Sequence, residues 1–174
     1  MSKLLAMCNF RGLSLLGSVA CAAGIVFALY LQHVKGLEPC PLCIFQRLAM
    51  IACGLSFLLG AVCAPGRRGM RWLCALLTIL FALLGASLSG RQVWLQSLPA
   101  DRVPACGPSL DYLMAIMPLR RVIAFVLKGD GSCARIDGQW LGIAMPEWTL
   151  FAFVALALLA LATPFAANSR RDGK

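Results

Sequence analysis

The chain has 174 residues, of which 60% are hydrophobic and only 13% are charged, and its mean hydropathy is +0.82. Soluble domains usually carry about a quarter charged residues, so this composition favours an integral membrane protein. The formal net charge of +9 would suit a nucleic-acid partner. However, the basic residues are scattered between apolar stretches and form no basic stripe with interleaved aromatic residues, which disfavours nucleic-acid binding.

Four segments are long and apolar enough to cross a bilayer, which takes roughly 20 residues. They cover about residues 13–31, 44–64, 72–89 and 148–167 of one membrane domain, residues 1–174. A cleaved signal peptide is the alternative for the first segment, but its apolar run is too long and no small-residue cleavage site follows it. The sequence therefore predicts an all-α integral membrane protein, a four-helix transmembrane bundle with loops at 32–43 and 90–147.

Basic residues cluster on one side of this predicted bundle. They precede the first span, fill the turn between the second and third spans, and follow the fourth: Lys3, Arg11, Arg67, Arg68, Arg71, Arg170, Arg171 and Lys174. The opposite side mixes basic residues with six acidic ones. The positive-inside rule then predicts that both termini are cytoplasmic and that the two loops face outward.

The most informative motif is Cys40-Pro41-Leu42-Cys43, which lies where the second span begins. Proline suits the first position of a helix, so the motif is expected to form a helix start. The positive end of the helix dipole stabilises a thiolate and lowers its pKa, and Arg47 adds a positive charge one turn after Cys43. A reactive dithiol at the membrane boundary indicates electron exchange between outside proteins and an acceptor dissolved in lipid. Snorkelling of Arg47 to the interface stays open as an alternative.

The nine cysteines divide by predicted location. Four face outward, an even number that fits an oxidising compartment: Cys40, Cys43, Cys106 and Cys133. Five lie within spans or towards the cytoplasm and are expected to pack as small apolar side chains: Cys8, Cys21, Cys53, Cys63 and Cys74. The second outward pair, Cys106 and Cys133, could be an inert staple for the outer loop or a redox-active pair. The nearby Cys-x-x-Cys motif favours the redox interpretation.

The outer loop of residues 90–147 is more apolar than an ordinary exposed loop. Residues 110–117 carry apolar groups at helical spacing, and residues 122–127 are continuously apolar, but neither run is long enough to cross a membrane. The loop is therefore predicted to contain a short interfacial helix, with packing against the helix ends as the open alternative. Either arrangement keeps Cys106 and Cys133 within reach of Cys40. Trp148, at the start of the last span, is interpreted as an interfacial tryptophan or as a cavity wall.

Several motifs together match one known family. They are Gln32-His33, the run from Pro39 to Cys43, Gln46-Arg47, the run from Gly90 to Trp94, the Gly-Asp-Gly-Ser-Cys segment ending at Cys133, and Met145-Pro146-Glu147-Trp148. With these motifs the chain resembles the DsbB family of bacterial disulfide bond formation proteins along nearly its whole length. Gln46 departs from the pattern, because members of this family often carry an acid there.

The resemblance implies an inner-membrane thiol:quinone oxidoreductase that reoxidises the periplasmic oxidant DsbA. By analogy, Cys106 would be attacked by the DsbA thiolate, and its partner Cys133 would then exchange with Cys40. Cys43 would face the quinone, with Arg47 helping to hold it. The implied acceptor is ubiquinone under aerobic conditions and menaquinone under anaerobic ones.

Three other classes of protein compete with this interpretation. A quinone reductase of the vitamin K epoxide reductase type also has four membrane helices, but it carries its Cys-x-x-Cys on a late helix. Four outward thiolates could instead bind zinc, although the second pair is widely spaced. A transporter is disfavoured because none of the predicted spans carries a charge near its centre.

Overall fold

The computed structural model describes residues 9–37, 39–63, 68–99, 101–105, 107, 110–129, 131–134, 139–140 and 142–166. The helices are α1 (Phe10–Lys35), α2 (Pro41–Cys63), α3 (Arg68–Gln96), α4 (Leu110–Ile116), α5 (Leu119–Lys128), α6 (Gly131–Ala134) and α7 (Met145–Ala162), which runs into a 3₁₀ helix at Thr163–Phe165. Two short antiparallel strands, β1 (Gln139–Trp140) and β2 (Ile143–Ala144), pair just before α7.

Four of the described helices, α1, α2, α3 and α7, are long and apolar enough to cross a membrane, α7 together with the 3₁₀ helix. The predicted all-α, four-helix fold is therefore confirmed, and the chain is a multi-pass membrane protein. Hydropathy marks only the apolar part of a helix, and the hydrogen-bonded helix continues beyond it. For this reason α3 extends to Gln96, and α1 extends to Lys35 before Gly36 ends it in a left-handed conformation (φ 67°).

The long helices pack in the order α1, α2, α3, α7, because α2 contacts both α1 and α3, and α3 contacts α7. The core of the bundle includes Cys53, Phe57 and Phe153. A side chain at Gly85 would overlap the Phe153 ring, so the absence of a Cβ there allows α3 and α7 to approach closely. In the described part of the chain, α1 and α7 contact each other much less, and both helices line the cavity described below.

Within its described residues, the outer loop contains three short helices, α4 to α6, where the sequence predicted one. On α5, Val122 and Val126 are buried and pack in a cluster with Leu42 of α2 and Leu95 of α3. Other apolar side chains of α5 are exposed, including Leu119 and Leu127. The packing alternative therefore describes this helix, and an interfacial position of the loop stays a prediction.

Three of the five non-motif cysteines, Cys21, Cys53 and Cys74, are buried, as predicted for small apolar side chains. The same prediction is wrong for Cys63, which is exposed at the end of α2. A residue in the last turn of a helix has fewer neighbours than one in its middle, and the sequence pattern did not distinguish the two positions. Cys8 lies outside the described residues.

Candidate active site

The Cys-x-x-Cys motif forms the start of α2, as the sequence predicted. Pro41 is the first helical residue, and the carbonyl of Cys40 accepts the N–H of Ile44 at 3.2 Å. The Cys40 sulfur accepts the backbone N–H of Cys43 at 3.3 Å, as an N-cap side chain does. The two sulfurs lie 2.7 Å apart, so the helix start itself holds the pair together.

A third predicted cysteine joins this pair from the outer loop. Cys133, on α6, is 1% exposed and packs with Leu42 and Leu95, and its side chain hydrogen-bonds that of Cys40. The fourth, Cys106, lies outside the described residues. The preceding residue is placed, since the carbonyl of Ala105 accepts the N–H of Gly131 at 3.2 Å at the start of α6. The structure therefore brings together three of the four predicted cysteines.

The neighbouring sulfurs determine where the proton of the pair resides. The hydrogen bond with Cys133, the hydrogen bond with Cys43 and burial, in that order, raise the pKa of Cys40 far above the usual thiol range. Cys40 is therefore the sulfur that keeps its proton when the pair is reduced. Cys43 lies in the first turn of α2, where the exposed N–H groups and the helix dipole favour negative charge.

Two buried glutamines complete the surroundings of the sulfurs. The Nε2 atom of Gln92, on α3, lies 3.4 Å from the Cys43 sulfur and 3.6 Å from the Cys40 sulfur. The Oε1 atom of the same amide accepts a hydrogen bond of 2.8 Å from Nε2 of Gln46 on α2. Gln92 is 4% exposed and Gln46 is 6% exposed, so both amides form their hydrogen bonds away from bulk solvent.

Arg47 is held across the bundle by α1. Its Nη1 donates to Oε1 of Gln32 and its Nη2 donates to the carbonyl of Ala28 at 3.2 Å. These two bonds direct the guanidinium across to α1 rather than leaving it to snorkel outward. Because a guanidinium has five N–H donors, Arg47 can hold α1 and also present a donor to a ligand.

A cavity of about 310 Å³ lies next to the sulfurs and is lined by all four long helices. This volume is at the lower end of the roughly 300–1,000 Å³ typical of small-molecule sites. Its polar lining includes Cys40, Cys43, Arg47 and Gln92. Its mostly apolar remainder is formed by Gly24, Ile25, Phe27, Ala28, Leu31, Leu37, Pro39, Gln46, Met50, Gln96, Ser132, Met145, Pro146, Trp148, Thr149 and Ala152.

The form of this cavity indicates the chemistry it can support. Apolar walls suit a ring or chain drawn from the lipid, and a guanidinium suits an oxygen that gains negative charge. Cys43 and Arg47 both line this cavity, so a ligand bound there has access to the sulfur as well as to the guanidinium. Trp148 belongs to the wall, which agrees with the cavity interpretation of this residue. Within the described ranges, no group of three or more His, Cys, Asp or Glu side chains is arranged to hold a metal ion.

Sequence reasoning missed the structural roles of three glutamines, Gln32, Gln46 and Gln92. All three stood in motifs that carried the family resemblance, but no role was assigned to them. A usable signal was present, because a polar side chain buried in a membrane helix is costly unless it is paired. The chain does not show along its length which side chain pairs with which, since Gln46 and Gln92 lie on different helices.

Comparison with known proteins identifies the family. A family model described as disulfide bond formation protein DsbB matches residues 10–163. Disulfide bond formation protein B 1 of Pseudomonas aeruginosa is 49% identical over 145 residues, 83% of this chain and 88% of that protein. Disulfide bond formation protein B of Chromobacterium violaceum is 50% identical over 147 residues (84% and 88%), and that of Acinetobacter baumannii is 44% identical over 153 residues (88% and 90%). The motifs, the fold and these relatives agree, and the chain belongs to the DsbB family of disulfide bond formation proteins.

Proposed function

We propose that this protein is a thiol:quinone oxidoreductase that reoxidises a DsbA-like periplasmic dithiol oxidase and passes the electrons to membrane quinone. The observation that carries the proposal is the position of the Cys40–Cys43 pair. Cys40 hydrogen-bonds Cys133 of the outer loop, while Cys43 lies beside Arg47 at the apolar cavity. The pair is thus in contact with both the outer loop and a site for a lipid-soluble acceptor.

The first half of the reaction is a series of thiol–disulfide exchanges, starting with disulfides Cys106–Cys133 and Cys40–Cys43. A thiolate of the partner attacks the sulfur of Cys106, which forms a mixed disulfide and releases Cys133 as a thiolate. Cys133 attacks Cys40, forming the Cys40–Cys133 disulfide and releasing Cys43 as a thiolate. The second thiol of the partner then attacks the partner's first sulfur, which is bonded to Cys106 in the mixed disulfide. This step releases the oxidised partner and leaves Cys106 reduced.

The second half regenerates the starting disulfides. Cys106 attacks Cys133, which restores their disulfide and releases Cys40, so that both electrons now reside on Cys40 and Cys43. Cys43 delivers the electron pair at the cavity, and the Cys40–Cys43 disulfide forms again. A bound quinone would supply the oxidising power, taking up two electrons and two protons to become a quinol. Each turnover thus converts one dithiol of the partner into one disulfide.

The residues around the cavity suit a quinone. Arg47, held by Gln32 and Ala28, would donate a hydrogen bond to a carbonyl oxygen and stabilise the negative charge that develops there. The apolar side chains of α1 and α7 would hold the ring and exclude water from the reacting sulfur. Ubiquinone is the proposed aerobic acceptor, and menaquinone is the proposed anaerobic one.

The proposed location is the bacterial inner membrane, with both termini in the cytoplasm. Arg68 and Arg71 start α3 at the end of the bundle away from Cys40, and the rule that basic flanks remain inside supports this orientation. The Cys40–Cys43 pair then faces the oxidising periplasm. Labelling of Cys40 and Cys43 in intact cells by a membrane-impermeant thiol reagent tests this arrangement, and reaction from the cytoplasm alone would exclude it.

The test of function is oxidation of a reduced DsbA-like partner by purified protein in detergent with added quinone, followed by quinone absorbance. We expect oxidation that depends on quinone and stops in the Cys106→Ser variant. If Cys106→Ser retains full activity, the proposed order of exchange is wrong. Metal analysis of protein purified without reductant tests the zinc alternative, because bound zinc with protected thiols would exclude a disulfide-exchanging pair.

A further inference from the structure

Gln92 is placed to act directly on the reacting sulfurs. Its amide nitrogen is within hydrogen-bonding distance of both Cys40 and Cys43, at 3.6 and 3.4 Å, and it is the Cys43 sulfur that lies closer. Gln92 belongs to α3, so the donor is held by a different helix from the one that carries the two sulfurs. The donor is already in place while Cys40 is in contact with Cys133.

Gln46 determines which end of the Gln92 amide meets the sulfurs. It lies one turn after Cys43 and donates its N–H to the oxygen of Gln92 at 2.8 Å. This bond engages the carbonyl oxygen of Gln92, which also lies 3.7 Å from the Cys43 sulfur, where it can accept the S–H of the protonated thiol. The NH₂ group of the same amide faces both sulfurs. Because an NH₂ group can only donate, it stabilises a thiolate, whereas a carbonyl oxygen at the same position would repel one.

We propose that Gln92 is a catalytic residue of the sulfur site, and that Gln46 is a positioning residue that fixes the orientation of the Gln92 amide. Gln92 donates a hydrogen bond to Cys43 as this sulfur becomes a thiolate, both when it leaves Cys40 and when it delivers the electron pair. The proposal deepens the proposed function, since it assigns a donor to the same sulfur. The ionisable groups that act on Cys43 are Cys40 and Arg47 from its own segment, and Cys133 of α6 hydrogen-bonds Cys40.

The experiment measures the rate at which iodoacetamide alkylates Cys43 in the reduced full-length protein, as a function of pH and with no quinone added. Wild type is compared with Gln92→Leu, which removes the donor, and with Gln46→Leu, which removes the bond to the Gln92 oxygen and so leaves the amide free to turn. Because this readout needs no acceptor, it stands even if the proposed electron transfer to quinone fails. Ser89→Ala is the matched control, since Ser89 is buried on α3 one turn earlier and donates to the Gly85 carbonyl of its own helix.

We expect both glutamine variants to move the midpoint of the Cys43 alkylation profile upward by about one to two pH units, as the loss of a hydrogen bond to a charged group predicts. In the quinone assay they should lower kcat about tenfold or more with little change in the KM for quinone. Gln46→Asn, which keeps a donor on a shorter side chain, should retain more activity than Gln46→Leu. Ser89→Ala should leave the profile and kcat unchanged.

Other outcomes overturn the proposal. An unchanged alkylation midpoint in Gln92→Leu shows that Gln92 does not act on the Cys43 thiolate, whatever happens to turnover. A rise in KM alone assigns Gln92 to the cavity wall instead. An equal shift in Ser89→Ala shows that any buried change on α3 has the same effect, and this result removes the specific role of the amide.

Discussion

Buried polar side chains have different hydrogen-bond partners at the two ends of the membrane bundle. At the sulfur end, defined by Cys40, Gln46 and Gln92, the two glutamine amides bond from one helix to another and border a cavity of about 310 Å³. At the opposite end, the hydroxyls of Ser56 and Thr78 each donate to a carbonyl of their own helix. The cavity beside these two residues measures only about 10 Å³, about the space of one water molecule.

This difference distinguishes polar side chains that take part in a reaction site from those that bond only within their own helix. A hydroxyl that donates to a carbonyl of its own helix has its hydrogen bond without any other element, so it places no constraint on the neighbouring helices. An amide that bonds another helix fixes the relative position of the two helices, and here it also directs a donor at a sulfur. Substitutions at the sulfur end should therefore change the chemistry, whereas those at the opposite end should change stability by small amounts.

The largest effect should come from Cys43→Ser, which removes the sulfur at the cavity. We expect quinone-dependent oxidation of the partner to fall to background, because a serine hydroxyl cannot form the disulfide or deliver the electron pair. A disulfide-linked complex between Cys106 and the partner should still accumulate and be visible on a non-reducing gel. Cys63→Ser, an exposed position at the far end of the same helix, is the control and should turn over normally. Normal turnover of Cys43→Ser would contradict the proposed electron path.

Arg47→Ala should have the next largest effect. Loss of a charged donor costs about 1.5–3 kcal/mol, so the KM for quinone should rise roughly tenfold to a hundredfold. The matched control is Arg91→Ala, because Arg91 instead donates to the Lys128 carbonyl at 3.0 Å and stacks on Trp94 at 4.3 Å. Steady-state kinetics with varied quinone concentration compares the two variants. Equal KM values for both would contradict the assignment of Arg47 to quinone binding.

A smaller effect concerns the protonation of Cys40. The hydrogen bond with Cys133 raises the pKa of Cys40, so the folded protein keeps this proton at a pH where an exposed thiol has lost it. The associated stabilisation is present below the ordinary thiol pKa and is lost as pH rises through the raised value. At about pH 9, Cys40 in reduced protein should be alkylated at least about tenfold more slowly than in denatured protein. Equal rates, measured by mass spectrometry with exposed Cys63 as reference, would show that the folded site does not retain the proton.

Sequence patterns predicted the four spans, the helix start at Pro41 and the position of Cys133 in the loop between the third and fourth spans. These features depend on local composition or on residues a few positions apart, which a single sequence records directly. The contact of Gln92 with Cys43 joins positions 49 residues apart, and it depends on how α2 and α3 are rotated against each other. Because both helices are apolar on all sides, the sequence does not determine which side of each helix faces the other. The contact between the two amides was therefore found only in the structure.

The smallest effect should come from Thr78→Val at the opposite end. Thr78 is 1% exposed, and its hydroxyl donates to the Cys74 carbonyl at 2.9 Å, within α3. That carbonyl also takes part in the helix ladder, so removal of the hydroxyl should change the free energy of unfolding by less than about 1 kcal/mol. Unfolding in denaturing detergent measures this change, and turnover with quinone should equal that of wild type. If Thr78→Val instead lowers kcat as Gln92→Leu is expected to do, polarity anywhere on α3 affects the reaction, and the distinction between the two ends fails.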